Sequence, residues 1–304
     1  MDEVSEAMAI EKYEKAGKIA SEVREHARMI AKPGMRVLDL VEDLEKLIEE
    51  KGAKAAFPVN VSINEVAAHY TPEKDDALLI GEKDIVKIDV GVHVDGFIGD
   101  TAFTTDFSGE YGKLVEASEN ALEAAIASVK AGVNTSAIGE AVENEIKKLG
   151  FKPIENLCGH SLGEYDLHAG EEIPNIKTSA HNYELKEGDV FAIEPFATNG
   201  VGKVGDGSAV EIFSLVDPRP SRMRESRRVI NYVIANYKTL PFAERWLLKK
   251  EFKSKLLLHA ALRELMEMGA LRPYPILSES EKGLVSQTEH TVVVEKDGCR
   301  VLTK

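Results

Sequence analysis

Cysteine is almost missing from this chain of 304 residues, which has only Cys158 and Cys299. Two thiols are too few for a disulfide framework, so a packed core must hold the fold, and a reducing, cytoplasmic setting fits. Long apolar runs are missing too. No stretch of about 18 apolar residues occurs, which argues against a membrane span. The opening, "MDEVSEAMAIEKYEKAGKIA", lacks the basic-then-apolar pattern of a signal peptide. Positive charge is scarce: 38 Lys and Arg face 52 Asp and Glu, for a net charge of −14. With no long basic stretch to contact phosphates, nucleic-acid binding is not expected as the main task. What is present is a 43% hydrophobic chain, ample for one large domain or two.

The pattern along the chain is mixed α/β. An amphipathic helix is expected from about residue 5 to 31, stopped by Pro33-Gly34, and a second from about 38 to 51, ended by Gly52. Two more, about 110–131 and 135–149, are separated by Gly132-Val133-Asn134. Between these pairs lies "KIDVGVHVDGFIGDTAFT", residues 87–104. Its Asp95-Gly96 is a hairpin signal, because both positions of a tight turn favour positive φ. A two-residue turn there pairs Val94 with Phe97 and Asp89 with Ala102, and puts Asp100 diagonal to Asp89 on the same face. Residues 202–280 read as a helical, relatively basic insertion, which divides the α/β part into 1–201 and 281–304. No internal repeat or low-complexity segment stands out.

Aspartate is disfavoured inside strands, and two carboxylates side by side repel unless a cation lies between them. Glu194 in "FAIEPF" and Glu289 in "SQTEHT" also stand in apolar strand-like company, and His160 in "NLCGHSLG" adds an imidazole. Singly, each has a plain reading as a solvated, turn or loop residue. Together, four carboxylates balance two divalent ions, and oxygen with nitrogen ligation suits Mn²⁺, Fe²⁺, Co²⁺ or Zn²⁺. Such a pair of ions supports hydrolysis, although spacing alone leaves the reaction open.

"KIDVGVHVDGFIGDTA", "GHSLGEYDLHAG", "FAIEPFAT" and "TEHTVVVEKD" resemble the metal-binding segments of methionine aminopeptidases, members of the creatinase or pita-bread superfamily. The resemblance spans nearly the whole chain. It implies a pita-bread fold with a helical, winged-helix-like insertion, and two divalent ions held by Asp89, Asp100, His160, Glu194 and Glu289. Glu194 would double as general base toward a metal-activated water. The implied substrate is a peptide with an N-terminal methionine and a small second residue. His69 and His168 match histidines that hydrogen-bond the reacting amide, and Phe57, Leu167 and Tyr274 fall at segments lining the methionine pocket. The insertion, with "YKTLPFAERWL", points to type II, and a start close to the first helix suggests the short archaeal form, expected as a monomer. A proline-specific peptidase with the same ligands, or a non-catalytic binding module, are the rivals. The insertion and the intact ligand set argue against them.

Three features are set aside. "GVGKVGDG" places Gly200, Gly202 and Gly205 in a Gly-x-Gly-x-x-Gly spacing, but no βαβ unit opens from it, so it reads as a flexible entry to the insertion. The basic stretches Arg222–Arg228 and Lys249–Lys255 read as solvated helix faces, with a ribosome contact as the alternative. Cys158, two residues before His160, is given no metal role.

Overall fold

The computed structural model describes residues 3–304. Helices α1 (Glu3–Ile30) and α2 (Val37–Glu50) come first. Short strands β1 (Lys54–Ala55), β2 (Asn60–Ile63) and β3 (Val66–Ala68) lead to the long pair β4 (Ile85–Val94) and β5 (Phe97–Asp106). Helices α3 (Gly112–Ser128) and α4 (Thr135–Lys148) follow. Then come β6 (Lys152–Pro153), β7 (Cys158–Ser161), β8 (Glu172–Pro174), β9 (Val190–Ile193) and β10 (Phe196–Thr198). A further segment holds β11 (Val204–Leu215), α5 (Arg224–Asn236), β12 (Phe242–Ala243), α6 (Glu244–Lys250), α7 (Lys255–Glu267) and β13 (Leu271–Glu279). The chain closes with β14 (Val285–Gln287), β15 (Glu289–Glu295) and β16 (Gly298–Val301).

The β4–β5 turn is the expected one. Asp95 and Gly96 have φ of 52° and 95°, and the register pairs Val94 with Phe97 and Asp89 with Ala102. The main sheet runs β1-β4-β5-β15-β9-β7-β8, with β2 and β16 attached beside it. Two helix pairs cover one face. The stripe Val37, Leu40, Val41, Leu44 and Ile48 of α2 packs with α1 against Val86, Ile88, Val90 and Val92 of β4. Helices α3 and α4 pack against Phe191 and Ile193 of β9 and Val292 and Val294 of β15. Because side chains alternate along a strand, the residues between these point to the other face. Asp89, Asp100 and Glu289 are among them.

The segment 202–280 is less helical than its sequence suggests. Strands β12-β11-β13 join β3 in a four-stranded sheet, and α5 to α7 pack on it around Val229, Trp246 and Leu262. The glycine-rich run is not a flexible loop either. Val204 to Gly207 already belong to β11, and the buried carboxylate of Glu279 accepts from the amides of Val201, at 2.6 Å, and Gly202, at 3.2 Å. The amides that a phosphate would need are therefore taken. Four of the eight basic side chains in those two stretches are in ion pairs: Lys249 with Glu42, Lys250 with Glu49, Lys255 with Glu73 and Arg228 with Glu251. No helix among the described residues is long and apolar enough to cross a membrane.

Candidate metal centre

Five neighbouring strands of the main sheet bring the ligand candidates together. Asp89 on β4 and Glu289 on β15 flank Ala102 of β5 from opposite sides. Asp100 lies opposite Gly91, and His160 on β7 lies opposite Ala192 of β9. Glu194 was expected within a strand, but β9 ends at Ile193 and Glu194 stands just past it. The chain turns there toward β10, which leaves the carboxylate at the sheet's rim. Ligand atoms of Asp100, His160 and Glu289 all lie within 4.8 Å of one another. The His160 Nε2 atom is 3.8 Å from Glu194 Oε1 and 3.9 Å from Asp100 Oδ2.

The electrostatics of this cluster are unfavourable as protein alone. Burial raises Asp89 to about 7. Burial and then the charges of Asp89 and Glu194 push Asp100 well above the usual carboxylate range. Glu194 rises through burial and Asp89, and Glu289 through burial and Asp100. Asp89 Oδ1, Asp100 Oδ1 and Glu289 Oε2 are buried without any hydrogen-bond partner. Such orphaned oxygens are expensive, and cations among them satisfy both the lone pairs and the charge. The residues therefore fit a divalent-metal site, rich in oxygen with one imidazole.

Residues that drew no notice in the sequence support the cluster. The Gln287 Nε2 atom donates to Asp89 Oδ2 at 3.1 Å and to Glu194 Oε2 at 3.3 Å. Its place two residues before Glu289, on the same face of an extended run, was the available signal. On the helix side, Arg24 Nη1 donates to Thr101 Oγ1 at 2.8 Å and to the Thr303 carbonyl at 2.7 Å. Thr101 Oγ1 in turn donates to the Glu289 carbonyl at 2.9 Å. One guanidinium thus braces β5 and β15 directly behind two of the carboxylates.

A cavity opens over the cluster, lined by Phe57, His69, Leu167, His168 and Tyr274. Asn60, Ile212 and Pro241, which no motif singles out, also line it. His69 has a φ of 65°, rare for a residue with a side chain. Its Nδ1 is 3.1 Å from the Pro275 carbonyl. A carbonyl only accepts, so Nδ1 carries the proton. Burial holds His69 below its ordinary value, which leaves the ring neutral and its Nε2 an acceptor. Burial, then the nearness of His69 and Arg272, lowers His168 to about 4. Its ring lies 4.4 Å from that of His160 and is stacked at 6.1 Å on Tyr274. Phe57 packs closely on β4 because Gly91 has no side chain there: a Cβ on Gly91 would come within 2.1 Å of the ring.

The model of metallopeptidase family M24 matches residues 11–217. The chain belongs to metallopeptidase family M24. Similar M24 proteins include the methionine aminopeptidase of Pyrococcus horikoshii, 50% identical over 297 residues, covering 98% of this chain and 100% of that one. The methionine aminopeptidase of Archaeoglobus fulgidus is 50% identical over 295 residues, with 97% and 98% covered. In fold, the chain is similar to a thermophilic Arx1 structure, with a TM-score of 0.84 at 18% identity, covering 97% of this chain and 90% of that one. M24 membership and the orphaned carboxylates agree on divalent-metal binding.

Proposed function

We propose that this chain removes the N-terminal methionine from peptides and nascent proteins, with two divalent ions held by Asp89, Asp100, His160, Glu194 and Glu289. The observation that carries the reading is the convergence of these five side chains, four on neighbouring strands and Glu194 just past the end of a fifth, beneath a cavity with apolar walls. Full-length similarity to methionine aminopeptidases supports the substrate class. Bound divalent ions supply Lewis acidity and an activated water.

The chain's own residues do the rest. Glu194, at the rim of the sheet, takes the proton of the attacking water and passes it to the leaving amine. Gln287 holds Glu194 and Asp89 at a fixed separation. His69, neutral with Nδ1 tied to Pro275, presents Nε2 to accept from the N–H of the scissile amide. His168 is the donor, since a neutral imidazole still offers one N–H to the developing charge. Phe57, Leu167 and Tyr274 enclose the methionine side chain. Within this reading, 1–201 with 281–304 is the catalytic unit and 202–280 is the type II insertion, whose Ile212, Pro241 and Tyr274 close the cavity from above.

A peptide series Met-X-Ser tests the assignment. Turnover is expected for X = Gly, Ala, Ser, Thr or Val and little for Lys or Phe, because the cluster and His69 crowd the scissile bond. Equal rates across the series, or preference for Xaa-Pro peptides, would exclude it. A second expectation concerns Gly91. Gly91→Ala should drive the Phe57 ring into the methionine site and raise KM for Met peptides about tenfold or more, the scale of one misplaced methylene in a pocket. Phe57→Leu in the same background should recover part of the loss. An unchanged KM in Gly91→Ala would show that Phe57 does not bound the pocket.

A further inference from the structure

A second group of metal-ligating side chains lies on the same face of the main sheet. Cys158 is on β7, Glu172 on β8, and His181 follows in the connection to β9. Each offers one ligand atom, and the three atoms all lie within 4.8 Å of one another. His181 Nδ1 is 2.9 Å from Glu172 Oε2. Cys158 is a free, half-buried thiol. Tetrahedral zinc, with bonds of about 2.0–2.3 Å, sets its ligands roughly 3.3–3.8 Å apart, a spacing close to the 4.8 Å within which the three ligand atoms lie.

We propose that Cys158, Glu172 and His181 form a separate metal site that binds one zinc ion or a similarly thiophilic divalent cation. The donor set differs in kind from the carboxylate-rich centre. Thiolate and imidazole select zinc over harder cations, whereas the five-residue cluster offers oxygen and one nitrogen. On binding, the Cys158 thiol gives its proton to solvent as the metal–sulfur bond forms. Glu172 binds as the carboxylate, and His181 binds through Nδ1 with its ring proton carried on Nε2. The Glu172 and His181 side chains are 46% and 33% exposed, which leaves the fourth position open to water.

The placement gives this site a consequence for its neighbour. Glu172 lies directly opposite His160 in the β7–β8 pair, and Cys158 is two residues before His160 on the same face. An ion there clips β8 and the connection bearing His181 to the strand that carries His160, without sharing a ligand with the five-residue centre. It would brace that strand from its outer side.

Cobalt titration of the full chain, followed by near-ultraviolet absorption, tests the proposal independently of hydrolysis. Only a thiolate ligand gives a sulfur-to-cobalt charge-transfer band, so the sulfur-free centre is silent in that region. The expected result is a saturable band whose final amplitude matches one thiolate-bound ion per chain, beyond the ions that the sulfur-free centre takes up silently. It should be lost in Cys158→Ser and kept in Cys299→Ser. In His181→Ala the affinity read from the band should weaken by at least about tenfold, the effect that outer partners alone produce at metal sites. Cys158→Ser and His181→Ala should still fold and cleave Met peptides, which separates this result from any failure of the aminopeptidase reading. No band at saturating cobalt would overturn the proposal. So would a band lost only in Cys299→Ser, or one whose affinity is unchanged in His181→Ala.

Discussion

Chelating the divalent ions should abolish hydrolysis of Met peptides and also lower the stability of the chain, and adding ions back should reverse both. In the ion-free fold, burial raises all four carboxyl groups, Asp89 to about 7, and neighbouring carboxylates push Asp100, Glu194 and Glu289 up further. An acid whose folded pKa is raised holds a proton that the unfolded chain gives up. The folded state then binds more protons, and stability falls as pH rises from about 4 through 7. A shift of one unit is worth about 1.4 kcal/mol, and each kcal/mol moves Tm by about 2–4 °C in chains somewhat smaller than this one. Calorimetry of ion-free and loaded protein at pH 5 and pH 7.5 checks the sign. The gap between the two forms should widen at the higher pH, and hydrolysis should plateau at two ions in the centre. An ion-free form whose Tm climbs over that range, or a full rate with one ion, would contradict the assignment.

The second large effect separates two histidines whose rings nearly touch. His160→Ala removes a proposed ligand and should weaken metal binding. His168→Ala removes only a donor to the reacting amide, which typically costs roughly 10²–10³ in turnover, about 2.7–4 kcal/mol. Its ion content should match the parent's, and kcat should fall far more than KM changes. Because His168 sits near 4, the parent's kcat should show no His168 titration at the ordinary histidine value of about 6.5. Metal titration beside steady-state kinetics on both variants decides the matter. If His168→Ala loses an ion and His160→Ala does not, the two roles must be exchanged.

The sequence made the hairpin of Asp89 and Asp100 legible because two local rules agreed on it: the Asp-Gly turn and the alternation of the strands. The two helix pairs were legible for the same kind of reason, since apolar periodicity and Gly stops coincided. Strand β11 was not, because glycine-rich strands carry little β signal and its pairing with β13 is non-local. The support given by Arg24 and Gln287 was equally hidden. Arginine and glutamine are usually surface residues; Arg24 turns inward because α1 packs on the sheet, and Gln287 because of the register of distant strands. The same holds for Asn60, which meets the site because it pairs with Asp89 across β2 and β4. His69 lay in a matching segment, but its left-handed backbone and its bond to Pro275 depend on β13 arriving beside β3.

Strand β15 sits between β5 and β9, at the middle of the main sheet, yet it is translated after both. Until it inserts, the sheet exists as two pieces, each with an unpaired edge, and exposed edges invite wrong partners. Glu289 enters with that same strand, so the last ligand and the closing strand arrive in one event. A growing chain on the ribosome therefore has an incomplete metal cluster for as long as its sheet is split, and competence for metal uptake doubles as a report that synthesis has passed β15.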